Sequence, residues 1–170
     1  AYFNAFKINE QQVLSVLNRI QKKKKKHFLI GYASSINFFA EVALKNNIAI
    51  SFKAVISLGD KLFSHYRVNL EKAFKCKVFN TYGSSEGFLI ASQYDLNYLY
   101  IYSPQVYLEI LDDENNPVKD GEMGNIVVTR LDGFSMPLIR YKLGDLGIKL
   151  PRDSYPKDRK LNYPIFDGAP

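Results

Sequence analysis

Tyr82-Gly83-Ser84-Ser85-Glu86 stands where the pattern of this 170-residue sequence changes. Upstream of it, short apolar runs alternate with helical periodicity. Asn9 is placed to cap a helix in which Val13, Leu14, Leu17 and Ile20 recur at helical spacing, and the lysine run Lys22 to Lys26 closes it. His27 to Ile30 reads as a short buried strand ended by Gly31. Ser34 or Ser35 is placed to cap a second helix, with Ile36, Phe39, Ala40, Ala43 and Leu44 on its inner face and Asn46-Asn47 as its stop. Lys53 to Leu58 reads as a strand leading to Gly59-Asp60, Leu62 to Phe74 as a third helix, and Lys77 to Asn80 as a strand again. Strand and helix in alternation predict a parallel sheet with right-handed crossovers.

Downstream the helical spacing vanishes. Phe88 to Ala91, Tyr98 to Tyr102, Val106 to Leu111, Asn125 to Leu131 and Leu143 to Leu150 read as strands. Turn signals at 112–117, 120–124 and 132–133 separate them. The fold class is therefore α/β: a parallel βαβ layer followed by a mostly antiparallel sheet or partial barrel. The seam is expected near residue 95, giving an α/β part over 1–95 and a β-rich part over 96–150. The Pro-, Lys- and Asp-rich stretch 151–170 reads as a loop or linker.

Composition narrows the classes. The chain is 46% hydrophobic, enough for a real core at this length. The net charge is +6, and Lys22 to Lys26 supplies five of those charges, so the basic character is local. Such a run can serve nucleic acid or an anionic membrane. It can equally be a solvated helix end, where cations meet the negative end of the helix dipole. The helix end is the favoured reading, because no arginine cluster or interleaved aromatics accompany the lysines. No apolar run approaches the roughly 20 residues of a membrane helix, and the N-terminus lacks a signal-peptide pattern. Cys76 is the single cysteine, which excludes an internal disulfide and a cysteine-rich zinc site and fits a reducing cytoplasm.

The candidate chemistry is that of a nucleotide site. Lys77 to Asn80 should deliver the chain to the carboxyl end of a parallel strand, where open α/β sheets bind ligands. Gly83 is expected to let the backbone turn sharply. Successive backbone N–H groups there, with the Ser84 and Ser85 hydroxyls, can bind an anion. Tyr82 can stack on a base. Glu86 then lies where a carboxylate and phosphate oxygens can share Mg²⁺. Asp145, closing Pro137-Leu138-Ile139-Arg140-Tyr141-Lys142-Leu143-Gly144-Asp145, can accept hydrogen bonds from ribose hydroxyls. Each segment alone also fits a plain reading: a strand-to-helix turn with an exposed acid at Tyr82 to Glu86, and an ordinary turn at Leu143 to Asp145.

The ordered set resembles the adenylate-forming acyl–CoA ligase superfamily, and within it the phenylacetate–CoA ligase, coenzyme F390 synthetase-like and capsular polysaccharide biosynthesis branch. The resemblance runs from about Ile30 to Leu150. It rests on 29–35, on Ser57-Leu58-Gly59-Asp60, on Asn80-Thr81-Tyr82-Gly83-Ser84-Ser85-Glu86, on 120–129 and on 136–145. It implies a portion of the large N-terminal domain of an enzyme that couples a small-molecule carboxylate, such as an aryl acid, to ATP and then to coenzyme A. By the same resemblance Ser85 contacts phosphate and Glu86 holds Mg²⁺. Tyr82 packs on adenine, Gly59 and Asp60 line its edge, Asn80, Thr81, Gly83 and Ser84 complete the nucleotide-binding segment, and Asp145 binds ribose. No nucleic-acid partner and no membrane span are expected.

The departures bear on function. Asp60 stands in place of the usual Glu, Ser85 in place of a common Thr, and Leu143 in place of a frequent Thr. The 170 residues contain no Ser/Thr/Gly-rich phosphate loop and no Gly-Arg pair around Phe166-Asp167-Gly168, both of which the resemblance implies, and the small C-terminal domain with its lysine is expected to lie outside them. The sequence is thus expected to be an internal portion, inactive alone, with 151–170 leading toward that further domain. The alternative is a non-catalytic relative acting as a binding or scaffold protein in polysaccharide biosynthesis. His27 and His65 carry no metal-partner pattern. The run of tyrosines from Tyr94 to Tyr107 reads as β-sheet composition before it reads as an acyl pocket, and Asp112-Asp113-Glu114 as a solvated hairpin turn.

Overall fold

The computed structural model describes residues 4, 7–23 and 27–155 and the backbone of the strand Ile165–Gly168. The chain divides into two compact units, Ala1–Thr81 and Tyr82–Pro170.

In the first unit, α1 (Glu10–Gln21) starts with a capping box. Asn9 accepts a hydrogen bond from the Gln12 amide at 3.0 Å, while Gln12 accepts from the Asn9 amide at 3.2 Å. Lys22 follows at its C-cap; residues 24–26 of the lysine run lie outside the described residues. Then come β1 (Phe28–Tyr32), α2 (Ala33–Lys45), β2 (Ala54–Leu58), α3 (Ser64–Phe74) and β3 (Val78–Ser84). The pairs β1–β2 and β2–β3 are parallel, in the register Ile30↔Ile56 and Ser57↔Asn80. Val13, Leu17, Val55, Leu70 and Phe74 are wholly buried between sheet and helices. β1 runs on through Gly31, so that glycine does not end it.

Neither Ser34 nor Ser35 caps α2. The carboxylate of Asp60 does so from just beyond the end of β2, the strand beside β1. It accepts hydrogen bonds from the Ala33 amide, from the Ser34 amide at 3.1 Å and from the Ser34 hydroxyl at 2.8 Å. The acid thereby satisfies two of the unpaired N–H groups at the helix start and faces its positive end. Gly59 permits this approach. Its backbone is left-handed (φ 79), and a Cβ there would lie 2.3 Å from the Tyr32 ring. Asp60→Ala is expected to cost about 1–2 kcal/mol, the worth of a good N-cap, measurable as a lower urea midpoint with unchanged slope.

The second unit is antiparallel. It holds β4 (Phe88–Ser92), β5 (Leu99–Ile101), β6 (Val106–Leu111), β7 (Met123–Arg130), β8 (Tyr141–Lys149), a 3-10 turn at Arg152–Ser154 and β9 (Ile165–Gly168). Antiparallel pairing joins β4 to β5, β5 to β9, β9 to β8, β8 to β7 and β7 to β6. Ile90, Ala91, Val106, Ile126 and Val128 form its core. The acidic β6–β7 loop is a hairpin turn as expected, in which Asp112 accepts from the Asn116 amide at 2.8 Å.

Two boundaries differ from the sequence reading. The seam falls after Thr81 rather than near residue 95, because Phe88, Ile90 and Ala91 of β4 pack into the second core. The linker expected over 151–170 does not hold for Ile165–Gly168, which pairs with β5 and β8. Two apolar residues between Pro164 and Gly168 are too short a run to stand out by periodicity.

Candidate functional site

The segment Tyr82–Glu86 lies on the end of β3 and the turn into β4. It is a strand-to-strand turn, not a strand-to-helix one. The Gly87 amide donates to the Ser84 carbonyl at 3.0 Å, and the Glu86 amide to the Ser84 hydroxyl at 3.2 Å. The residue that turns the chain is Gly87 (φ 89); Gly83 remains in the strand, and a Cβ on it would press on the Phe88 carbonyl at 3.0 Å. The amides of residues 86 and 87 are bonded to Ser84, so this pair does not form the anion-binding concavity expected there.

Asp145 reaches the same place from β8. On that strand Asn125 pairs with Leu146 and Val127 with Lys142, so Leu143-Gly144-Asp145 stands opposite the single residue Ile126. This is a bulge inside a strand rather than the turn that Leu143 to Asp145 suggested. Gly144 adopts φ 86, the left-handed conformation that glycine takes without steric cost. Bulges bend a strand and re-aim its side chains.

Two tyrosine–carboxylate bonds tie the segments together. The Tyr82 hydroxyl donates to Asp145 Oδ2 at 2.7 Å, and the Tyr141 hydroxyl donates to Glu86 Oε1 at 2.6 Å. The Ser84 hydroxyl donates to the other Glu86 oxygen. These hydrogen bonds, from Ser84 first and then Tyr141, hold the Glu86 carboxyl below the usual carboxylate range. Burial, followed by the bond to Asp145, pushes the Tyr82 hydroxyl above the usual phenol range. The bond to Glu86 raises Tyr141 likewise. Tyr82 packs against the second core.

The raised Tyr82 has a testable consequence. A group that keeps its proton more firmly when folded contributes fully below its unfolded value, about pH 10 for tyrosine, and loses that contribution as the pH rises. In a spectrophotometric titration, Tyr82→Phe is expected to leave the number of tyrosines that ionise in the usual phenol range unchanged. A fall of one would show that Tyr82 ionises with the others.

Of the candidate residues, the second unit brings together Tyr82, Ser84, Glu86 and Asp145, with Gly83 in the strand and Ser85 exposed in the turn. The other four lie in the first unit. Gly59 and Asp60 serve the start of α2. Thr81 donates its hydroxyl to the Ser57 carbonyl at 2.8 Å, and Asn80 stands in register with Ser57. Tyr141 was given no role by the sequence reading. The signal for it is a repeated spacing: an acid follows a tyrosine by four positions in Tyr82…Glu86 and again in Tyr141…Asp145. Of the tyrosines from Tyr94 to Tyr107, only Tyr100 and Tyr107 lie in strands, so sheet composition accounts for these two and not for Tyr94, Tyr98 and Tyr102; Tyr94 and Tyr107 are exposed. No group of three or more His, Cys, Asp or Glu that could hold a metal occurs among the described residues. None of their helices is long and apolar enough to cross a membrane.

This is the fold of the AMP-forming acyl–CoA ligases. A 2-hydroxyisobutyryl-CoA ligase, solved in an open conformation with 2-HIB-AMP and CoA, superposes with a TM-score of 0.76 at 22% identity, over 94% of this chain and 36% of its own. A benzoate CoA ligase from Burkholderia xenovorans superposes with a TM-score of 0.63 at 16% identity, over 92% of this chain and 33% of its own. In sequence, the chain is 31% identical over 158 residues to Protein CapK of Staphylococcus aureus, covering 90% of this chain and 33% of that protein. The likeness is thus one of fold to these ligases and of sequence to CapK, in line with the resemblance read from the sequence, and the chain spans about a third of the length of these relatives. No protein-family model matches it.

Proposed function

We propose that the full-length protein is an ATP-dependent carboxylate-adenylating ligase and that Tyr82, Ser84, Ser85, Glu86 and Asp145 form part of its nucleotide site. The observation that carries this reading is that two tyrosine–carboxylate bonds tie the segment of Glu86 to the segment of Asp145, distant in sequence, within the second unit. The likeness to ligases solved with acyl-AMP and CoA supports the same chemistry. Asp145, with one oxygen engaged by Tyr82, is suited to accept from a ribose diol. Tyr82 offers a ring to adenine, and the exposed Ser85 hydroxyl a donor to phosphate.

Glu86 suits Mg²⁺ in the way that ion is usually held, by one or two carboxylates together with phosphate oxygens and water. Each of its oxygens accepts one hydroxyl hydrogen bond and keeps a further lone pair. When bound, the ion would offset the charge of the phosphate oxygens.

In the proposed reaction a substrate carboxylate oxygen attacks the α-phosphorus of ATP, the bond to the bridging oxygen breaks, and pyrophosphate leaves. The resulting acyl-adenylate then passes its acyl group to the sulfur of coenzyme A, releasing AMP, while the thiol proton goes to solvent. Aryl acids such as phenylacetate are the first candidates, through the branch the sequence resembles.

The test is carboxylate-dependent ATP–pyrophosphate exchange by the full-length protein, with a panel of aryl and short aliphatic acids. Exchange with at least one acid, requiring Mg²⁺, is expected. Absence of both exchange and nucleotide binding would favour the second reading, a non-catalytic scaffold in polysaccharide biosynthesis. The 170 residues alone are expected to bind Mg²⁺·ATP weakly and to turn nothing over; tight binding by calorimetry would contradict this.

A further inference from the structure

The two tyrosine–carboxylate bonds are reciprocal. The turn segment supplies a tyrosine and, four residues on, an acid; β8 supplies a tyrosine and, four residues on, an acid. Each tyrosine holds the other segment's acid: Tyr82 to Asp145 at 2.7 Å and Tyr141 to Glu86 at 2.6 Å. The bulge at Gly144 lies between Tyr141 and Asp145, so the spacing of the β8 pair depends on it. We propose that Tyr141 is a positioning residue, which with Ser84 fixes the orientation of the Glu86 carboxylate, and that the reciprocal Tyr82–Asp145 bond sets the second acid of the nucleotide site to the first. This rests on the function proposed above and adds to it a residue without substrate contact.

The physical reason is orientational. A glutamate carboxylate sits on a two-methylene stem with three rotatable bonds, so its orientation is loose unless its oxygens are held, and Glu86 has each oxygen held by a different hydroxyl. Partners that orient a metal ligand are typically worth about 10- to 100-fold in metal affinity. Tyr141 acts on Glu86 alone, so its loss should appear in the Mg²⁺ requirement and not in recognition of the nucleoside. Tyr82 acts on Asp145, so loss of its hydroxyl should weaken nucleoside binding whether or not the metal is present.

The experiment is a binding cycle on the full-length protein with Tyr141→Phe, Glu86→Ala, the double variant and Tyr82→Phe. Calorimetry with ATP at varied Mg²⁺, and with AMP without metal, gives the readout, and a melting curve accompanies each variant. Tyr141→Phe is expected to raise the Mg²⁺ concentration for half-maximal ATP binding about tenfold, to leave AMP binding unchanged, and to have no further effect once Glu86 is alanine. Tyr82→Phe is expected to weaken ATP and AMP alike without altering the Mg²⁺ requirement, and it supplies the test should Tyr141→Phe lower the melting temperature. A wild-type Mg²⁺ requirement in Tyr141→Phe, or an equal effect with and without Glu86, overturns the positioning role while leaving the proposed function standing. Indifference of Mg²⁺-dependent ATP binding to Glu86→Ala overturns the metal assignment and the positioning role together.

Discussion

Glu86→Gln should lower carboxylate-dependent ATP–pyrophosphate exchange by the full-length protein at least about 100-fold, with no change in melting temperature. Glutamine has nearly the shape of glutamate. Its carbonyl can still accept from one of Ser84 and Tyr141, and its amide can donate to the other, whose hydroxyl oxygen then accepts. The corner therefore keeps its geometry and loses only its charge. The proposed Mg²⁺ site depends on that charge, since hard cations favour anionic oxygens. Because the wild-type carboxyl lies below the usual carboxylate range, it is ionised throughout the neutral region, and its hydrogen-bonded contribution is lost only as the pH falls through that lowered value. Exchange by the wild type should accordingly hold steady as the pH is lowered from about 7 to about 5 as far as Glu86 is concerned. Exchange by Glu86→Gln at the wild-type rate would remove Glu86 from the reaction.

The second large effect concerns stability. Gly124 pairs with Gly147 across β7 and β8, and a Cβ on it would lie 2.6 Å from the Leu111 carbonyl oxygen and 3.0 Å from an Ile110 methyl. The obstruction is backbone, which cannot swing aside as a long side chain does. Gly124→Ala must push β6 away from β7 or break their pairing, where Leu111 stands opposite Asn125. A loss of about 1–3 kcal/mol is expected from overpacking alone, read as a lower denaturant midpoint of the full-length protein. Since β7 also anchors the bulge that delivers Asp145, nucleotide binding should weaken in the same variant. Unchanged stability would mean that the strands tolerate the added carbon. The run 120–129 thus has a physical reason for its second glycine, Gly124.

What was legible in the sequence was local. The cap at Asn9 and the stop at Asn46-Asn47 appear because helix ends are decided by neighbouring residues. Strand β6 runs from Val106 to Leu111 as expected, since its alternation and its flanking turns are contiguous. The order of parallel and antiparallel halves followed from where helical spacing ceased. What was hidden was remote. Asp60 caps a helix that begins 27 residues earlier, and no local pattern announces a carboxylate arriving from another strand. The bulge in β8 is a mismatch between two strands, so it has no signature on one alone. Tyr141 was overlooked because its partner is 55 residues away. Glu86 and Asp145 could be named as candidates from the chemistry of their side chains, but the tyrosines that hold them could be found only from the pairing.

The most direct test is a crystal structure of the full-length protein with a non-hydrolysable acyl-adenylate analogue. The ribose hydroxyls are expected within hydrogen-bond distance of the Asp145 carboxylate, with the phosphate mimic beside Ser85 and Glu86. An analogue bound with its ribose and phosphate mimic away from both acids would contradict the assignment of this cluster as the nucleotide site.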